Sequence, residues 1–262
     1  MPLRLTANIS FMFTEQPFLE RFGAAAKAGF GAVECHWPYE FPVETLQAAI
    51  SAAGVKLTGL NMPVGDKAAG DFGLAAVAGR EAEFRTAFDL AVRYATALGC
   101  PMIHVLAGNV ADDQHGGAIG TYIANLRHAA AIAEKQKLTL LIEPINRRDA
   151  PNYFLSTLEE AVAVAATLSS PAVKIMADLY HLQIMGGDLV TRLADCVDLI
   201  GHVQVAGVPA RAEPDQGEVN LRFVLDALVA AGYAGLVGAE YRPRGRTEDG
   251  LGWIATSGLT LG

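Results

Sequence analysis

The sequence predicts an α/β fold: a single (β/α)8 TIM barrel spanning residues 1–262. Three observations carry that prediction. Strand-like and helix-like runs alternate from end to end, the strand-like runs are nearly continuous in apolarity, and no linker or break in composition divides the chain. Continuous apolarity marks strands covered on both faces, whereas half-exposed strands alternate. A composition of 52% hydrophobic and 18% charged residues supplies ample core for one large domain and shows no sign of disorder.

The first strand-like run, 3–9, precedes a helical pattern over 17–28 that stops at the glycine of AGF (28–30). The second strand falls at 31–35; its helix, 43–53, is opened by Pro42 and closed by AAG (52–54). Strand 56–61 leads through a long loop, 62–79, into helix 80–98, which ends in LGC (98–100). Strand 101–106 is followed by helix 118–136, and strand 138–143 by helix 157–168. Ser156 and Thr157 ahead of Glu159 and Glu160 read as an N-cap with an acidic first turn. Strand 173–178 precedes helix 187–195, and strand 199–204 precedes loop 205–218 and helix 219–231, stopped by AAGY (230–233). Strand 235–240 and a helical pattern over 248–256 complete the eight units, and the tail SGLTLG (257–262) carries no signal. The alternative, a doubly wound open sheet, usually places a glycine-rich phosphate loop after its first strand; NISFMFTEQP (8–17) stands there instead.

A net charge of −8 with a pI near 5.2 disfavours nucleic-acid backbones and anionic membranes as partners. Cys35, Cys100 and Cys196 are odd in number, lack a CxxC spacing and lie in apolar segments, so they read as buried free thiols of a reducing cytosol. MPLRLTANIS at the start is not a basic region followed by an apolar run, and no segment reaches the ~18 apolar residues of a membrane span. A cytoplasmic protein is expected. Apolar helix faces such as FDLAVRYATALG (88–99) suit packing on the barrel and are also compatible with a homo-oligomer.

Four successive strand-like runs end in an acid or amide: LTLLIE at Glu143, VKIMAD at Asp178, LIGHVQ at Gln204 and GLVGAE at Glu240. A charge closing a buried strand is costly unless something there needs it. Taken singly, each acid reads better as a helix cap or an arginine's partner. Four in consecutive units point to one site, because strand C-termini of such a barrel gather on one face. Four oxygen donors there suit a hard divalent cation, Mg²⁺ or Mn²⁺, rather than a thiolate metal. Loops 62–79 and 205–218 follow strands, so they lie on the same rim and can cover a substrate; Pro63, Gly65 and Gly70 suit mobility without showing a lid.

Beyond these residues the chain resembles the hydroxypyruvate isomerase group of the xylose-isomerase-like barrels, which includes 2-oxotetronate isomerases. The resemblance covers the full length and is most specific in EPINRRDAPNYFL (143–155), MADLYHLQIMGGD (176–188), GHVQVAGVPARAEPDQGEVN (201–220) and GAEYRP (238–243). It implies that Glu143, Asp178, Gln204 and Glu240 hold the metal, that Glu143 and Glu240 also donate and accept the proton, and that His181 contacts a substrate oxygen. The implied reaction interconverts hydroxypyruvate and 2-hydroxy-3-oxopropanoate (tartronate semialdehyde). That chemistry needs a base on one carbon, an acid on its neighbour and a cation holding two adjacent oxygens. A metal-assisted hydride shift is the competing mechanism.

The substrate carboxylate calls for a cationic partner, and Arg147, Arg148 and Arg211 lie just beyond strand ends. Arg211, in the VPAR stretch, is favoured, with Arg147 also expected to bind substrate. Asn146 and Asp149 are expected to shape their own loop through local hydrogen bonds. His202 and Gln204 alternate onto one strand face, where a histidine bonded to a neighbour is the simpler reading, as for His104. His36 and Trp37 suit a pocket wall, and His115 and His128 the surface. Barrels of this type also serve 2-oxotetronate isomerases, sugar epimerases, inosose dehydratases and endonuclease IV-like repair enzymes. A non-catalytic sugar-acid binding protein on the same scaffold is the reading from a different class.

Overall fold

The structure, a computed structural model, describes residues 2–261. Eight parallel strands close into a barrel: β1 (Arg4–Asn8), β2 (Ala32–Cys35), β3 (Lys56–Asn61), β4 (Met102–His104), β5 (Thr139–Ile142), β6 (Val173–Asp178), β7 (Ile200–Val205) and β8 (Leu236–Ala239). Closure is made at β1, where Ala7 pairs with Val33 on one side and Ala239 on the other. The eight expected strands are all present, β3 and β6 with the expected bounds and β4 shorter, ending at His104 rather than 106.

The helices α1 (Phe18–Lys27), α2 (Val43–Ala53), α3 (Glu81–Leu98), α4 (His115–Gln136), α5 (Leu158–Leu168), α6 (Leu179–Met185), α7 (Leu189–Asp195), α8 (Leu221–Ala231) and α9 (Ile254–Ser257) surround it. Their placement follows from local chemistry. Helix α3 buries Phe84, Phe88, Ala91 and Ala95, one stripe at helical spacing that packs on the strands. Burying one such phenylalanine contributes about 1.5–3 kcal/mol. Helix α5 begins in a full capping box: Thr157 Oγ1 accepts from the Glu160 N–H, and the Glu160 carboxylate accepts from the Thr157 N–H.

Four details depart from what the sequence pattern predicts. Helix α6 is absent from that pattern; it starts directly on Asp178, whose side chain caps it by accepting from the Tyr180 N–H at 2.9 Å. Helix α7 consequently begins at Leu189, after the Gly186–Gly187 break, rather than at 187. The pattern over 248–256 is mainly a 3-10 segment, Thr247–Trp253, running into α9. The tail is not featureless, since Thr260–Leu261 forms a short strand β9 beside Arg4 and Leu5 of β1. No helix among the described residues is long and apolar enough to cross a membrane. Cys35, Cys100 and Cys196 are buried free thiols.

Candidate active site

Strand direction brings the polar ends together. Asp178 closes β6, Gln204 is the penultimate residue of β7, and Glu143 and Glu240 follow β5 and β8 by one residue. All four are buried. Glu143 and Glu240 line a cavity of about 360 Å³ together with His36, Trp37, His181 and Arg211. Both long loops contribute to its wall, Phe72 from one and Ala210 and Arg211 from the other.

The acids are held by a dense set of donors. Arg211 Nη2 lies 2.7 Å from Glu240 Oε1 and 3.4 Å from Asp178 Oδ2. Glu240 Oε2 accepts from Asn8 Nδ2 at 2.6 Å and from Gln204 Nε2 at 2.7 Å, with His36 Nε2 at 3.4 Å. Burial alone would raise the Glu240 carboxyl, but His36 and Arg211 outweigh it and bring it down to about 2. Glu143 has weaker support: burial and the neighbouring Glu240 push its carboxyl well above the usual range. Burial also raises Asp178, to about 7, against the pull of Arg211. Two carboxyl groups on one cavity with opposite shifts are suited to opposite halves of a proton transfer.

His181 shows its protonation state through its partners. Its Nδ1 accepts the Asn146 backbone N–H at 3.2 Å, so in the neutral ring the hydrogen sits on Nε2. Burial, reinforced by Arg211, lowers this imidazole to about 3 and keeps it neutral. Nε2 lies 3.5 Å from Asp178 Oδ2 and 3.8 Å from Glu143 Oε1. A nitrogen bearing hydrogen cannot ligate a cation, so in this tautomer Nε2 offers a hydrogen-bond donor.

The residues fit a divalent cation. Ligand atoms of Glu143, Asp178 and His181 lie within 4.8 Å of one another. Glu143 Oε1 and Gln204 Oε1 are buried and have no hydrogen-bond partner, the condition of oxygens awaiting a further ligand. Glu240 falls outside the group of Glu143, Asp178 and His181, its two oxygens engaged by Arg211, Asn8 and Gln204. Oxygen donors of this kind suit a hard divalent cation.

The other expected residues fall in different places. Arg147 is exposed and does not line the cavity; its Nε donates to Ser156 Oγ at 3.2 Å, because the turn over 147–149 aims it toward the start of α5. Arg148 instead spans the rim, its Nη2 donating to Tyr180 Oη at 2.9 Å and to the Pro209 carbonyl at 3.0 Å. Asn146 shapes its loop as expected, its Oδ1 accepting the Asp149 N–H at 2.8 Å. His36 and Trp37 wall the cavity. His202 is bonded to a neighbour, Glu34, at 2.6 Å, whereas His104 Nε2 has no hydrogen-bond partner and faces Glu143 at 3.5 Å. His128 is exposed on α4, while the His115 ring packs on Phe154, 4.6 Å between centroids.

Sequence reasoning missed Asn8, Glu34 and Arg242. Glu34 had a signal of the kind used elsewhere, an acid near the end of the apolar run AVEC. Arg242, two residues beyond Glu240 in GAEYRP, lines the cavity.

A family model described as the xylose isomerase-like TIM barrel matches residues 22–257. A 2-oxo-tetronate isomerase of Cupriavidus necator is 44% identical over 96% of this chain and 97% of its own length. The hydroxypyruvate isomerase of Escherichia coli is 40% identical over 96% of this chain and 98% of its own. The crystal structure of an AP endonuclease, family 2, from Brucella melitensis superposes with a TM-score of 0.95 at 44% identity, covering 98% of this chain and 99% of that one. Matches of that extent, on a closed eight-stranded barrel with its acids at the strand ends, show that the chain belongs to the xylose isomerase-like TIM barrel family.

Proposed function

We propose that this protein is a metal-dependent isomerase of a small keto acid, interconverting hydroxypyruvate and tartronate semialdehyde by proton transfer. The observation that carries the reading is the meeting of Glu143 and Glu240 on one cavity with the donor His181 and the cation Arg211. The relatives named for hydroxypyruvate and 2-oxo-tetronate isomerisation support the same class.

In the reaction, one of the two glutamates removes a proton from C3 of hydroxypyruvate and the other delivers one to C2. The O3 hydroxyl proton passes to O2, which balances the interconversion. His181 Nε2–H donates to a substrate oxygen and steadies its growing negative charge. Arg211, flanked by the rings of Phe11 and Tyr180 at 5.0 Å each, would meet the substrate carboxylate. A Mg²⁺ or Mn²⁺ ion held by Glu143, Asp178, Gln204 and Glu240 would supply charge stabilisation for two neighbouring substrate oxygens.

The four-carbon 2-oxotetronate is the second reading, favoured by the C. necator relative. The two substrates differ by one carbon, worth about 1–3 kcal/mol of discrimination in such a pocket. A DNA-repair reading is opposed by the net charge of −8.

The test is proton NMR of hydroxypyruvate with Mg²⁺-loaded enzyme in deuterated water, beside an EDTA-treated control. Metal-dependent tartronate semialdehyde carrying deuterium at C2 is expected. Conversion that keeps the migrating hydrogen in a single turnover would replace proton transfer by the hydride shift. No conversion by metal-bound enzyme would reject hydroxypyruvate and turn attention to 2-oxotetronate.

A further inference from the structure

Below the cavity, Glu34 is an acid that the proposed reaction does not use. Its side chain is buried inside the barrel, and each oxygen is committed. Oε1 accepts from Gln204 Nε2 at 2.7 Å and from Asn8 Nδ2 at 3.2 Å, while Oε2 accepts from His202 Nε2 at 2.6 Å. Room for this carboxylate is made by Gly238 of β8, where a Cβ would lie 2.6 Å from Glu34 Oε1 and 2.9 Å from His202 Nε2.

The arrangement fixes something a glutamine cannot fix for itself. An amide can present either its oxygen or its NH₂ group to a cavity, and only the oxygen can bind a cation. Gln204 Nε2 is bonded to two carboxylates, Glu34 Oε1 and Glu240 Oε2, each at 2.7 Å. Rotating the amide by half a turn would set its oxygen against both of them. One orientation therefore survives, and it leaves Oε1 without a partner. An acid at position 204 would itself face these two carboxylates, which accounts for an amide there.

We infer that Glu34 is a positioning residue: it locks the Gln204 amide so that Oε1 is presented to the divalent cation, and His202 in turn locks Glu34. The inference rests on the metal reading proposed above. Partners of this kind, one bond behind a ligand, typically change metal affinity by about 10–100-fold.

The experiment is Mg²⁺ titration of the intact protein, read by calorimetry and by the Gln204 side-chain amide resonance, identified as the one absent in Gln204→Ala. In the wild type that resonance moves as Mg²⁺ binds. In Glu34→Gln the affinity falls about 10–100-fold and the Gln204 resonance no longer follows Mg²⁺. His202→Leu, which leaves every acid in place, weakens binding in the same direction, and His202→Gln, which keeps an N–H near the Nε2 position, restores it. Thermal melting of each variant confirms a folded barrel, and the two His202 variants decide the matter if Glu34→Gln does not fold. Unchanged Mg²⁺ affinity in Glu34→Gln or His202→Leu overturns the inference. So does a weakened affinity with the Gln204 resonance still following Mg²⁺, which would leave Glu34 contributing charge alone. A wild-type protein that binds no Mg²⁺ would instead overturn the metal reading beneath it.

Discussion

Strands β5 to β8 carry Glu143, Asp178, Gln204 and Glu240 at or next to their C-terminal ends, whereas β1, β2 and β4 carry Asn8, Glu34 and His104 near theirs. The second set reaches across to the first. Asn8 donates to Glu240, Glu34 holds Gln204, and His104 stands beside Glu143. One half gathers the negative charge, and the other supplies contacts that make that gathering tolerable. Glu34 is the exception, an acid in the supporting half, and its donors include two from β7, His202 and Gln204. Buried acids gathered in one half of a barrel need N–H donors, and here both halves supply them: Asn8 from one, Arg211, Gln204 and the Tyr180 N–H from the other.

The sharpest way to break this comparison is to exchange acids for amides in the first half. Glu143→Gln and Glu240→Gln should each lower turnover by about 10²–10⁴-fold, the range for a general acid or base. Asn8→Ala removes one of several donors to Glu240 and should cost about tenfold, the low end of the roughly 1.5–3 kcal/mol that one hydrogen bond to a charged group contributes. Steady-state turnover of the three variants checks both values. Equal losses in Asn8→Ala and Glu240→Gln would erase the distinction between the halves.

A smaller effect separates them by stability. Burial disfavours the charged forms of Glu143 and Asp178, a cost that a bound cation would offset. Mg²⁺ at about a hundred times its dissociation constant should add about 2.7 kcal/mol. For a chain of this size that corresponds to a rise in Tm of about 5–10 °C. Differential scanning calorimetry with Mg²⁺ and with EDTA measures the increment. Asp178→Asn should abolish most of it, while Asn8→Ala should retain more than half. An increment that survives in Asp178→Asn would remove Asp178 from the ligand set.

Much of this asymmetry is legible in the amino-acid sequence. The four ligand candidates close apolar runs at intervals of one strand–helix unit, and covered parallel strands have a sequence pattern of their own. Helix α6 escapes that pattern because Asp178 serves both as a strand end and as its N-cap, leaving no connecting residues to mark the boundary. Glu34 escapes for a different reason. Its partners Asn8, His202 and Gln204 are distant in sequence, and only closure of the barrel at β1 brings them within reach. Arg147 and Arg148 sit side by side, and the sequence offers nothing to say which one the turn over 147–149 aims outward.

That last pair gives the smallest predicted effect. Arg147 is exposed, and its side-chain bond to Ser156 serves the entrance to α5. Arg148 is also exposed but ties two parts of the rim: through Tyr180 Oη it holds the start of α6, and through the Pro209 carbonyl it holds the loop that carries Arg211. Tyr180 Oη donates onward to Asp149 Oδ2 at 2.9 Å, so the contact continues into the cavity wall. Arg147→Ala should therefore leave kcat/KM within about twofold, as for an ordinary surface change. Arg148→Ala should lower kcat/KM about three- to tenfold, because it loosens the placement of Arg211, which also holds Glu240. A larger loss in Arg147→Ala than in Arg148→Ala would mean that the turn over 147–149 reorients when substrate binds, and would return Arg147 to the carboxylate site.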